Sequence, residues 1–251
     1  QMKKLSTPDY VLLLTAAAAL KDFEAYFQTT NSCTVTGAQF PSTTPPSPQP
    51  FPISGAQITN WEEVAENGGT ISAYNIDNGA TTTLGPVVIN GDFTISNGST
   101  IQVQGPIWVK GNITLDARSQ ILVDSSLGDN GTVIIADKPG STTTIGKIIL
   151  SNNSSGGGNG QPGSTMLFIS TYTGADNAIY LANNSTSSVF FAPYGIIHVN
   201  NNANLWQLTS HSVVINNNTI VNYQNGLQDA TFSSGPGGSW IYQAGSYAIT
   251  D

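Results

Sequence analysis

The chain has 251 residues, of which 9% are charged, and 15 acidic against 7 basic side chains leave a net charge of −8. That length allows one sizeable domain with its own core, and so few Lys and Arg exclude nucleic acid and an anionic membrane surface as partners, because both need a basic face. The single Cys33 excludes an intrachain disulfide and reads as an idle or buried thiol, while two histidines cannot build an ordinary zinc site.

Residues 7–30 predict a helix. Thr7 is a suitable N-cap, Pro8 takes the first helical position, and Leu13, Ala16, Ala17, Leu20, Phe23 and Phe27 form an apolar stripe. Residues 1–40 are therefore expected to be an N-terminal helical segment that caps the fold or docks a partner. Residues 41–52, PSTTPPSPQPFP, predict an extended Pro-rich linker. Residues 53–69 predict a short helix capped by Ser54 and ended by Gly68-Gly69, with Ile58, Trp61 and Val64 on one face. No apolar run reaches the roughly 18 residues of a membrane span, so any export signal or anchor is expected outside this chain.

From residue 70 the pattern changes to short β runs. VVINGDFTISNGSTIQV at 87–103 returns as IWVKGNITLDARSQILV at 107–123, every position moving by 20: Gly91 onto Gly111, Thr94 onto Thr114, Ser99 onto Ser119. A repeat this short buries no core alone and must stack on its neighbours. The expected fold is therefore all-β, a right-handed parallel β-helix solenoid over 70–251 with an N-terminal helical cap. Phe93, Ile95, Ile113 and Leu115 are expected to point inward in stacked layers. Asparagine clusters at 183–184, 200–202 and 216–218 predict an asparagine ladder at one corner. Ser151–Ser164 predicts a flexible projecting loop, and Phe232–Trp240 a terminal lid.

The residues offer no catalytic constellation, and no enzyme is expected. Asp116 and Asp124 are the best carboxylate pair, but no acidic cluster recurs around them and Arg118 is the only arginine. Asp124, Asp129 and Asn130 supply oxygen ligands without EF-hand spacing, so the loop reads as a solvated turn. No catalytic residue, metal or cofactor is expected. Trp206, Trp240 and Tyr194 are the candidates for stacking on a sugar; Trp108, inside a strand, reads as core or sheet face. His198 is expected to point outward as a surface residue.

Several phrases stand in one chain: FPISGAQITNWEEVAENGGTI (51–71), GPIWVKGNITL (105–115), NNSTSSVFFAPYGIIHVNNNANL (183–205) and NYQNGLQDATFSSGPGGSW (222–240). In this order the chain resembles the C-terminal β-helical domain of large bacterial surface proteins similar to PilX-type pilus-assembly proteins. The resemblance implies an extracellular or cell-surface protein, pilus-associated and adhesive, and brings no catalytic residues with it. The expected function is a non-enzymatic structural or adhesive module. The alternatives are a carbohydrate-binding or carbohydrate-degrading protein and a self-assembling surface subunit. Expected partners are other pilus or surface subunits, or glycans of a host or cell surface.

Overall fold

A computed structural model describes residues 51–216 and 218–221, together with five short strands nearer the N-terminus. Those five are β1 (Leu13–Leu14), β2 (Ala19–Leu20), β3 (Ala25–Phe27), β4 (Thr34–Val35) and β5 (Gln39–Pro41). The expected helix over 7–30 falls outside the described residues except at β1–β3, which are strands rather than helix. Cys33, residues 42–50 and the expected lid at 232–240 also fall outside them.

The one helix among the described residues is α1 (Gly55–Asn67). Ser54 is its N-cap: its side chain accepts from the Gln57 amide at 3.2 Å, and the Gln57 side chain accepts from the Ser54 amide at 2.8 Å. This reciprocal box satisfies two of the helix's orphan donors. Ile58, Trp61 and Ala65 form the buried face, and Val64, expected there, is only half-buried.

The strands that follow make three walls. The first wall is crossed by β6 (Thr70–Ile76), β8 (Val87–Ile95), β10 (Ile107–Val109), β13 (Thr132–Ala136), β16 (Met166–Ser170), β18 (Thr186–Val199) and β19 (Asn204–Ile215). The second wall takes the later halves of β6, β8, β18 and β19 with β11 (Ile113–Leu115), β14 (Ile148–Leu150) and β17 (Asn177–Leu181). The third holds β7 (Thr81–Leu84), β9 (Thr100–Val103), β12 (Gln120–Val123), β15 (Ser155–Gly157), the starts of β18 and β19, and β20 (Ile220–Val221). Among the described residues every pairing is parallel, and the register is residue-for-residue (Val109 faces Ile89, Ile113 faces Phe93, Ile121 faces Ile101) except for shifts in β6–β8, β17–β18 and β18–β19. β1 pairs with the last crossing of the second wall, Leu13 opposite Val214.

The expected open right-handed β-helix solenoid with an N-terminal helical cap is corrected by these pairings. They close into a ring of eight parallel strands, β8–β10–β13–β16–β18–β17–β14–β11 and back to β8. Closure arises because β8 and β18 each run unbroken through a corner and so belong to two walls at once. The cap expected from residues 1–40 lies outside the described residues except at β1–β5, which are strands rather than helix. The separate helix α1 lies along the flank, against the outer side of the first wall.

Burial follows from this placement. Phe93, Ile95, Ile113 and Leu115 are fully buried inside, with Leu115 stacked on Ile95. Phe168 and Phe190 stack in the same interior, centroids 5.0 Å apart. From β8 to β18 the first wall is buried on both faces. Its alternate side chains, Val88, Trp108, Ile135, Leu167 and Phe191, pack under α1 and Phe51. A wall covered on both sides explains why VVI, IWV, VIIA and MLFIS read as continuous apolar runs.

The corner between the second and third walls is a repeated two-residue left-handed turn. Asn97-Gly98, Ala117-Arg118, Asn152-Asn153, Asn183-Asn184 and Asn201-Asn202 all have positive φ there. Asparagine tolerates that conformation better than other side chains, which explains the clusters. Their amides join up the corner: Asn183 Nδ2 donates to Asn152 Oδ1 at 3.0 Å, and Asn201 Nδ2 to Asn183 Oδ1 at 3.0 Å. At the next corner, between the first and second walls, Gly111 is packed so tightly that a Cβ would sit 2.3 Å from the Gly91 carbonyl oxygen.

Candidate functional site

The third wall carries a gap in its side-chain cover. β15 reads Ser-Gly-Gly where the turn beneath has Gln-Ile-Leu, so Gly157 stacks on Leu122 with no side chain of its own. After Gly157 the chain leaves the wall in a loop, 158–165, before rejoining the first wall at β16. The expected flexible loop at Ser151–Ser164 is thereby corrected. Asn152 and Asn153 form a turn of the ladder, Ser154 is fully buried, and Ser155–Gly157 is a strand. The remainder is pinned down. Asn159 Nδ2 donates to the carbonyls of Gly128 at 2.7 Å and Asp124 at 3.2 Å, and the Asn159 amide donates to Ser164 Oγ at 3.1 Å. Gly158 permits the fold-back, since a Cβ there would lie 2.0 Å from the Ser164 carbonyl oxygen.

Trp206 stands opposite this loop, on β19 as it passes from the third wall to the first, and is half-buried. Between them is a shallow cleft of about 440 Å³ with Gly157 in its lining, the loop residues Gln161, Pro162 and Ser164 on one side and Trp206 on the other. No charged side chain lines it. The volume is within the range of small-molecule sites, where a few polar groups orient a ligand on a mainly apolar lining.

The other two stacking candidates do not join Trp206. Tyr194 is 58% exposed and belongs to the corner between the first and second walls. Trp240 lies outside the described residues. Trp108 is buried beneath α1, where its Nε1 donates to the Asp137 carbonyl at 2.9 Å.

The carboxylates with catalytic promise are held apart. Asp116 lies before the left-handed corner that leads into β12, and Asp124 directly follows its last residue. Burial raises the Asp116 carboxyl, but hydrogen bonds from Ser151 Oγ at 2.9 Å and Asn152 Nδ2 at 2.6 Å outweigh it and hold it below the usual range. Asp124 caps the 3-10 turn Ser125–Leu127; the hydrogen bonds from Ser126 hold it low as well. Among the described residues no group of three or more His, Cys, Asp or Glu is placed to hold a metal. His198 is half-buried rather than free on the surface, edge-on to Tyr180 and 2.9 Å from Asn216 Nδ2; burial lowers its affinity for a proton.

One ionisable pair has no precedent in the sequence reading. Glu62 on α1 is 8% exposed and meets Asp137, which follows β13 and is 9% exposed. Glu62 Oε1 is buried without a hydrogen-bond partner, and Asp137 is the neighbouring acid. Burial first, and then Asp137, push Glu62 up to about 8. Nothing in the sequence joins two residues 75 positions apart, since only the docking of α1 brings them together.

No protein-family model, no curated protein and no solved structure matches this chain.

Proposed function

We propose that this chain is a non-enzymatic module of a bacterial cell surface, pilus-associated, whose cleft between Trp206 and the 158–164 loop binds a neutral glycan. The observation that supports this most is the lining: one indole flank, small or uncharged side chains opposite, and no ion. A pyranose ring offers an apolar C–H face to an indole and hydroxyls to groups such as Gln161 and Ser164. An anionic or cationic ligand would find no counter-charge there. Low charge over the whole chain and the resemblance to pilus-assembly surface proteins point the same way.

The test is a glycan-array screen of the full chain with two variants. Trp206→Ala removes the platform. Gly157→Val fills the floor without distorting the backbone, because a Cβ at Gly157 meets only the end of Leu122 at 3.6 Å. Loss of roughly 1–3 kcal/mol of binding in Trp206→Ala is expected, the usual worth of an aromatic platform or core contact. Binding to a defined glycan that neither variant weakens would move the site elsewhere; no binding to any neutral glycan would reject the reading.

A further inference from the structure

We propose that Glu62 and Asp137 form a proton-operated latch between α1 and the first wall. The helix is held down while Glu62 carries its proton beside Asp137, and its hold weakens when Glu62 ionises. The latch has a clear object: α1 covers an apolar face formed by Val88, Trp108, Ile135, Leu167 and Phe191. Asp137 is the fixed half. Thr171 Oγ1 donates to its Oδ1 at 2.5 Å, and Trp108 Nε1 donates to its carbonyl. Glu62 is the movable half, carried by the helix, with Oε1 buried and unpartnered.

The groups facing Glu62 come from three places. Asp137, after β13, opposes its ionisation. Glu66, on α1 itself, opposes it too. Lys110, after β10, favours it, but its Nζ lies 3.8 Å from the centre of the Trp108 ring, which occupies it elsewhere. Burial and two acids outweigh one cation, consistent with a docked Glu62 that gives up its proton near pH 8. Released into water, the same carboxyl titrates near 4.5. Between these values the docked helix carries a proton that the undocked helix lacks. Docking is therefore strongest below pH 4.5 and weakens as pH rises through 8. Between pH 5 and pH 8 the docking equilibrium falls by about two orders of magnitude.

The experiment is hydrogen exchange on the full chain at pH 5, 6.5 and 8, corrected for the intrinsic rate. Peptides spanning α1 are compared with peptides from β13 and β16. Protection of α1 is expected to fall by about two orders of magnitude while the two strands hold. Glu62→Gln keeps a neutral hydrogen-bonding side chain and is expected to retain protection at pH 8 and lose the pH response. Asp137→Asn, which removes the repelling charge, is expected to shrink the response. Protection of α1 that is level across the range overturns the latch. So does an unchanged fall in Glu62→Gln or, if that variant fails to fold, in Asp137→Asn.

Discussion

Replacing Ser119 with alanine is expected to stabilise the protein. Ser119 follows the left-handed corner and stacks on Ser99, with Ser154 and Ser185 in the turns beyond; all four are fully buried. Their amides close the corner, as in Ser119 to the Asp116 carbonyl at 3.1 Å, but no hydroxyl of the four has a hydrogen-bond partner. The next turn places Ala203 at the same level, also fully buried, so the fold accepts a methyl group there. An unmade hydrogen bond on a buried hydroxyl costs about 1–3 kcal/mol, and removing the oxygen forfeits only slight packing. Ser119→Ala should gain about 1 kcal/mol, seen as a rise in melting temperature of roughly 2–4 °C for a domain of this size. Urea denaturation with an unchanged slope is the assay. A loss of about 1 kcal/mol or more in Ser119→Ala would refute the reasoning, since it would mean that the hydroxyl is bonded in the folded state. A Ser99→Ala and Ser119→Ala cycle sharpens the test: additive gains mean independent hydroxyls, while a coupling energy means that they bond to one another up the stack.

Two further perturbations follow from the corners. Ala117 and Arg118 have φ of 49° and 64° where the other turns use Asn or Gly. A side chain other than Asn or Asp costs about 1–2 kcal/mol there, so Ala117→Asn should gain roughly 1 kcal/mol in urea denaturation; a loss would show that the turn is not strained. Asp176 is exposed and held down at about 2, chiefly by the Lys147 ammonium at 2.6 Å and also by the Tyr172 hydroxyl. Its folded value lies below the ordinary 3.8, so its contribution is present above about pH 4 and disappears as pH falls through 2. Asp176→Asn should flatten that part of an acid-unfolding curve, and a curve identical to the parent's would remove the cluster as a source of acid sensitivity.

The stacking register was legible because Phe93/Ile113 and Ile95/Leu115 recur at one spacing with the same polarity. The ring was not, since a repeat tells which residues sit above one another and not whether a strand such as β18 turns a corner unbroken. Ser151–Ser164 misled through composition: Gly156-Gly157 looks like loop, yet a strand held by the turn beneath it needs no side chains of its own. Trp206 was legible as an aromatic beyond the repeat's core positions, but its partners were hidden in that misread loop. Glu62 was invisible because a single acid on an amphipathic helix means nothing until the surface under the helix is known.

The left-handed corner also acts as a length standard. Its two residues hold the same conformation whether the next corner comes 18 residues on, as from Asn183 to Asn201, or 35 on, as from Ala117 to Asn152. All the surplus chain is spent at the other two corners, as in the loops 137–147 and 158–165. Foreign peptide could therefore be grafted at those two corners and displayed at a height fixed by the stack, while a single added residue at the asparagine corner would throw every wall beyond it out of register.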